Sequence, residues 1–211
     1  MRDRESDVSL CIPWQWLSFR MVRARRWFVL IAVVSSAMGI LVKRSLDHHK
    51  EEYPYGVSHC CIDGMGLALR LYAQEHGGAY PAGESSPEAS LSLLCRSNYI
   101  DVGTIRGMTV PERTVRGVIE GGGLLGPQNC GWQYVEGLTQ TNDPRIALLY
   151  CKEALGHNGQ RTKDGGRQVL FVGDGGIQWV SGDRWSAFLS EQSELLRSKI
   201  GQGHGNPTVA H

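Results

Sequence analysis

Residues 165–183 read GGRQVLFVGDGGIQWVSGD, and this stretch decides the fold. Two β-rich runs, QVLFV at 168–172 and IQWV at 177–180, flank the tetrapeptide GDGG at 173–176. Glycine and aspartate tolerate the positive φ angles of tight turns, whereas β-branched residues are strained there. The pattern therefore predicts a β-hairpin that closes at 173–176.

Two further β-rich runs lie upstream of this hairpin, GWQYV at 131–135 and IALLY at 146–150. Both are bounded by turn residues, as strands usually are. Four strands in succession predict an antiparallel sheet.

Helical patterns accompany the strands. Residues 58–76 repeat apolar side chains at helical spacing, with the first residue, Ser58, as N-cap and a Gly-Gly stop at 77–78. A Ser-Pro start opens a second helix at 86–98, and Asp183 caps a third helix that runs to about residue 199. Residues 101–129 predict only short strands or an irregular loop. The fold class is α+β, with helices packed on an antiparallel sheet.

A run without charge, WFVLIAVVSSAMGILV at 27–42, precedes this domain. As a helix it reaches about 24 Å, short of the roughly 30 Å hydrocarbon core, but flanking Arg and Lys side chains extend such a helix by snorkelling. Residues 1–26 carry six Arg, whereas only three Lys or Arg lie between 43 and 60. This bias predicts a single-pass inner-membrane helix with a cytoplasmic N-terminus and a periplasmic domain.

Two other interpretations of residues 27–42 stay open. A cleaved signal peptide would use Ser35-Ser36-Ala37 as its cleavage site, and a soluble protein would bury the segment as a core helix. The leader at 1–20 carries acidic residues and two Trp ahead of the basic run, which is unusual for export. Met21 is therefore an alternative start.

The sequence predicts five segments. They are a cytoplasmic leader, a transmembrane helix, a stalk or hinge, an extracytoplasmic domain and a disordered tail, at 1–26, 27–42, 43–57, 58–199 and 200–211. The YPYG motif at the end of the stalk should stop any helix that continues from the membrane.

Charge and cysteine content narrow the function. The chain has 22 Lys plus Arg and 21 Asp plus Glu, a net charge of +1, so it lacks the basic excess of nucleic-acid-binding proteins and no nucleic acid partner is expected.

Five of the six Cys follow the anchor, where disulfides are permitted. Cys130 and Cys151 are the predicted pair, because each borders a predicted strand. Zinc is not expected, since the sequence has no C-x-x-C and no paired His spacing.

Sequence motifs for catalysis are absent: the chain has no G-x-S-x-G elbow, P-loop or H-E-x-x-H. Cys151 and His157 are the nearest candidates for a thiol dyad, although exported Cys residues are more often bonded. Asp164 and Asp174 lie among Asn and Gly, a composition compatible with calcium. Two polar turns around a strand are the favoured interpretation of this composition. No catalysis and no cofactor are expected, and calcium stays open as an alternative.

These segments, in this order, resemble the bacterial pilin-like proteins related to type II secretion pseudopilins. The helix GLALRLYAQEHGGAYP at 66–81 ends in a G-x-Y-P turn, and WQYVEGLT, IALLYC, a loop with His157 and the 165–183 hairpin follow it. The resemblance covers roughly residues 58–190 and implies a pilin-like fold. It places His157 and Asp174-Gly175 at the group's His and Asp-Gly signature, and it implies secretion or pilus-like assembly proteins as partners.

The N-terminus departs from this family's pattern. Pilin-like precursors carry Gly followed by Phe-Thr-Leu-Ile-Glu and are cut after the Gly, whereas this chain has Trp27 in place of the Gly and Ala32 in place of the Glu. Near the C-terminus, Gly173 adds a residue before Asp174, and Gly176 stands where a second His is frequent. The degenerate signal predicts membrane insertion without processing.

The sequence therefore predicts a membrane-anchored extracytoplasmic pilin-like protein with a structural or interaction role. An exported module that binds a small ligand or calcium through residues 156–176 is one alternative. An unrecognised exported hydrolase is another.

Overall fold

A computed structural model describes residues 14–57, 59 and 61–203. Ser58, Cys60, the first 13 residues and the predicted tail beyond Gly203 lie outside the described residues. Contacts divide the chain into two units, residues 1–49 and residues 50–211, and the second is called the head below.

The first unit is helical wherever it is described. It belongs to α1, Trp14–Glu52, which extends well beyond the predicted membrane segment and through most of the predicted stalk. Between Trp27 and Val42, the large apolar side chains are each 50–72% exposed. The part Trp27–Glu52 is long and apolar enough to cross a membrane. α1 ends immediately before the YPYG motif at 53–56, as predicted.

The head contains a four-stranded antiparallel sheet in the order β1-β2-β3-β4. Its strands are β1 Trp132–Tyr134, β2 Ala147–Cys151, β3 Arg167–Phe171 and β4 Ile177–Val180. All four predicted strands are present, and β3 and β4 form the predicted hairpin, so the α+β class is confirmed.

The three predicted helices are present with shifted ends. They are α2 Ile62–Glu75, α3 Pro87–Arg96 and α6 Trp185–Gly203. The Ser86 hydroxyl accepts a hydrogen bond from the Ala89 amide at 3.1 Å, as an N-cap residue does. The predicted cap at Ser58 was wrong, because α2 begins after Cys61. Asp183 does not cap α6 either, since it lies inside a 3₁₀ turn, Gly182–Arg184, that precedes the helix.

The prediction for residues 101–129 was wrong, because this region contains two helices. They are α4 Val102–Ile105 and α5 Glu112–Glu120. Asp101 caps α4 by accepting from the Thr104 amide at 2.9 Å. In α5, Arg116 forms ion pairs with carboxylates four residues away on either side. Val115 of α5 is buried, and Val118 and Ile119, at helical spacing from it, are partly buried against the main core.

The sheet is covered on both faces. Along β3, Leu170 faces the main core, whereas Val169 and Phe171 face a smaller cluster with Trp185 and Phe188 of α6. This alternation is expected of a strand with a period of two. The main core joins α2, α3 and the first three strands through Ile62, Met65, Leu69, Leu91, Leu94, Trp132, Tyr134 and Leu149.

Candidate functional site

The turn between β3 and β4 carries the predicted Asp174-Gly175 signature. Gly173, Asp174 and Gly175 form a short 3₁₀ turn, and positive φ angles occur at Gly173 (57°) and Gly176 (67°). Gly175 does not have a positive φ, so the expectation that every glycine of this turn is needed for its φ angle was wrong at this position. A Cβ there would lie 2.5 Å from the carbonyl oxygen of Pro144, so the position requires glycine for space.

The G-x-Y-P turn at 78–81 is hydrogen-bonded to this hairpin. The buried Tyr80 hydroxyl accepts from the Gly173 amide at 3.1 Å, and burial raises the pKa of Tyr80. The Tyr134 hydroxyl donates to the Pro81 carbonyl at 2.8 Å. Two parts of the predicted family signature, far apart in sequence, thus hold each other in place.

The two predicted calcium ligands are separated. Asp164 precedes β3 and accepts from the Gly166 amide at 3.1 Å, whereas Asp174 follows β3 and is exposed. A strand of five residues spans about 14 Å, so the two carboxylates cannot share one ion. The structure thus does not bring this pair together, and calcium binding by either residue stays untested. Among the described residues, no group of three or more His, Cys, Asp or Glu side chains is placed to hold a metal.

His157 lies against His59, a residue that the sequence did not single out. Nδ1 of His59 and Nε2 of His157 are 2.8 Å apart and hydrogen-bonded. The ring centroids are 4.5 Å apart, with an edge-on interplanar angle of 74°, and both side chains are exposed. The two residues are 98 positions apart, so no local spacing reveals the pair.

Two other contacts flank this histidine pair. The Tyr55 hydroxyl donates to the Glu153 carboxylate, and this hydrogen bond raises the pKa of Tyr55. The Arg161 amide donates to the carbonyl of Glu52 at 2.7 Å. The last residue of α1, Glu52, and two residues that follow the helix, Tyr55 and His59, are therefore each bonded to the loop at 153–161, which lies between β2 and β3.

The structure contains neither the predicted Cys130–Cys151 disulfide nor the Cys151–His157 dyad. Cys130 and Cys151 are both buried, and neither is in a disulfide. Burial raises the pKa of the Cys130 thiol to about 11, which disfavours a nucleophilic thiolate. Cys151 lies in the main core, whereas His157 is exposed against His59, so the proposed thiol dyad is not present.

A buried ion pair is a second feature that sequence reasoning missed. Nζ of Lys152 lies 2.8 Å from Oε1 of Glu88 and also donates to the Pro127 carbonyl at 3.0 Å. The side chains of Lys152 and Glu88 are 26% and 9% exposed. Burial raises the pKa of Glu88, but the hydrogen bond and the charge of Lys152 more than offset this, so the pKa lies below its ordinary value. The pair joins α3 to the end of β2.

A groove of about 360 Å³ lies beside β4 and α6. Trp179, which is half exposed, lines it together with polar and charged side chains. Arg145, at its edge, forms an ion pair with Asp143 at 2.6 Å. The groove is lined by Pro144, Phe171, Gln178, Ser181, Arg184, Phe188, Glu191 and Gln192 as well.

No protein-family model, curated protein or solved structure matches this chain. The pilin-like relationship therefore stays a prediction. The two predicted signature residues lie in different surroundings. His157 contacts His59, which follows α1, whereas Gly175 lies against the carbonyl of Pro144 between β1 and β2.

Proposed function

We propose that this chain is a membrane-anchored, extracytoplasmic protein of the pilin-like kind, in which the head has a structural or interaction role. The exposure of α1 carries the proposal. Its large apolar side chains between Trp27 and Val42 are all at least half exposed, and such a continuous apolar surface is unfavourable in water. Lipid is the environment that removes this cost.

The charges beside this surface support one orientation. Arg23, Arg25 and Arg26 precede the apolar run, and cytoplasmic flanks of membrane helices are enriched in such residues. The N-terminus is then cytoplasmic and the head lies outside the cytoplasm.

The hydrogen bonds of the signature residues support a structural role. Tyr80 of the G-x-Y-P turn and Gly173 of the hairpin are bonded to each other, and Gly175 fits against the Pro144 carbonyl. These residues contribute to the packing of the head itself. We infer that they are characteristic of a scaffold that presents its outer surface to secretion or pilus-like assembly proteins.

Reporter fusions after Lys199 test the orientation. An alkaline phosphatase fusion should be active and a green fluorescent protein fusion dark, because only the phosphatase folds correctly outside the cytoplasm. As a matched control, replacing Arg23, Arg25 and Arg26 by Glu should reduce phosphatase activity by removing the charge bias. The proposal is contradicted if the phosphatase fusion of the unaltered chain is inactive and the green fluorescent protein fusion is fluorescent.

Mass spectrometry of the N-terminus of the membrane-extracted protein tests the anchor. An intact N-terminus, from Met1 or Met21, is expected because Trp27 replaces the Gly that prepilin processing requires. A mature chain that begins at Phe28 would show pilin-type processing, and one that begins at Met38 would show a cleaved signal peptide. Crosslinking of the embedded protein, followed by identification of partners, then tests the interaction role.

A further inference from the structure

The histidine pair brings together two ring nitrogens, both of a type that binds metals, from distant parts of the chain. Nδ1 of His59 and Nε2 of His157 face each other at 2.8 Å from segments that are far apart in the chain. We propose that these two imidazoles form a binding site for a divalent transition metal of the zinc type. This site goes beyond the proposed function and does not depend on the orientation of the anchor.

The direct contact between the two ring nitrogens supports this assignment. In a hydrogen bond between imidazole nitrogens, the N–H axis of one ring and the lone pair of the other point to the same place between them. When the donor ring moves its proton to its other nitrogen through solvent, two lone pairs face that place. A metal ion then binds two neutral imidazoles, and no net proton is lost from the pair.

The distance fits after a small displacement. Zinc binds imidazole nitrogen at roughly 2.0–2.1 Å with tetrahedral angles, which places two such nitrogens about 3.3 Å apart. The nitrogens of His59 and His157 would therefore separate by about 0.5 Å, and each ring would turn by roughly 35° so that its lone pair points to an ion beside the line between the nitrogens. Both side chains are exposed, so neither is confined by core packing.

The backbone on either side of the pair is already positioned. Tyr55 bonds to Glu153, and the Glu52 carbonyl accepts from Arg161, so both segments are tied near the two histidines. Preorganised ligands lose less conformational entropy when they bind. Since the described residues supply no group of three ligands, water completes the coordination.

Calorimetric titration of the full chain in detergent, without a polyhistidine tag, tests the proposal with zinc chloride. The unaltered protein should bind one saturable equivalent. His59→Gln and His157→Gln should each weaken the affinity by more than about tenfold, because each removes one of two ligands. Glutamine retains hydrogen-bonding groups, and circular dichroism verifies that each variant is folded.

Other histidines provide matched controls. His76 stacks on Tyr72 and bonds to its carbonyl at 2.7 Å, away from the pair. His76→Gln should keep the affinity, and so should a double His48→Gln, His49→Gln variant in α1. Zinc should also raise the Tm of the unaltered head by mass action, and the two pair variants should lose this rise.

Cobalt substitution distinguishes imidazole ligands from thiolates. The proposal predicts the weak visible bands of nitrogen and oxygen coordination, without the strong near-ultraviolet charge-transfer band of a bound thiolate. The absence of saturable zinc binding overturns the site. Unchanged affinity in both pair variants also overturns it, and so does a thiolate band that Cys61→Ser abolishes together with binding.

Discussion

The helix α1 and the core of the head use the same apolar residue types in opposite ways. Leu30 and Ile31 of α1 are 55% and 59% exposed, whereas Ile62 and Leu69 of α2 are completely buried. The buried apolar side chains of α2 lie in the core, whereas its Leu67 and Leu71 are 54% and 40% exposed. The run at 27–42 is apolar on every face, so one contact cannot cover it. The head buries most of its large apolar side chains in its own core, whereas those of α1 at 27–42 are exposed.

The largest expected effect comes from truncating the same residue type in the two regions. Leu69→Ala should lower the free energy of unfolding of the head by about 3 kcal/mol, because it leaves a cavity between α2 and the sheet. Leu30→Ala should leave that free energy unchanged. Urea unfolding in detergent, followed by tryptophan fluorescence, measures both. A loss above about 1 kcal/mol on Leu30→Ala would show that the two units unfold together.

A smaller effect is expected inside the head from its buried ion pair. Lys152→Met keeps the side-chain length but leaves the Glu88 carboxylate without its cation, which should cost about 2 kcal/mol, less than for a completely buried pair because Lys152 is partly exposed. Arg145→Met is the control, since the Arg145–Asp143 pair is on the surface and its loss should not be measurable. Equal effects of the two substitutions would contradict this assignment.

The contribution of the Lys152–Glu88 ion pair to the free energy of unfolding should depend on pH. The pKa of Glu88 is lower in the folded head than in the unfolded chain, so its contribution is present above the unfolded pKa of about 4.3 and is lost as the pH falls through the folded pKa. The difference in unfolding free energy between the unaltered protein and Lys152→Met should therefore shrink in acid. A difference that is constant from pH 7 to about pH 3 would show that Lys152 acts through packing instead.

The smallest of the three effects concerns the hairpin turn. Gly175→Val should cost about 1–2 kcal/mol, because its Cβ would overlap the Pro144 carbonyl and the hairpin has to shift. Asp174→Asn should be within about 0.5 kcal/mol of the unaltered protein, since Asp174 is exposed. Thermal unfolding with and without calcium measures both. Strong destabilisation by Asp174→Asn only with calcium present would restore a calcium role for this turn.

The sequence predicted the features that depend on local patterns. The β-rich runs, the cap at Ser86 and the stop after Glu52 each follow from a few adjacent residues, and all are present. The helical stalk was missed, although Leu, Lys, Arg and Glu at 43–52 are good helix formers. α4 was missed because it is only one turn long, and α5 because its nine residues carry only three apolar side chains on their packed face, Val115, Val118 and Ile119.

The candidate site could be predicted only in part, for a different physical reason. His157 was identified through the resemblance, but its partner His59 is 98 residues away, and Glu88 and Lys152 are 64 residues apart. Such pairs are created by the sheet and helix packing, and a single sequence contains no periodicity that indicates them. Gly175 was singled out as a turn residue with a positive φ, but its requirement for glycine comes from the nearby Pro144 backbone and not from its own φ angle.

The three contacts between residues 52–59 and the loop at 153–161 have a mechanical consequence. They occur before α2 begins at Ile62, so a pulling force applied at Glu52 does not act directly on that helix. The force acts instead on the β2–β3 connection, through the contacts of Glu153, His157 and Arg161. These bonds should be the first to break under tension. Their rupture would detach Glu52 and Tyr55 from this loop while the core of the head, to which none of these residues belongs, remains intact.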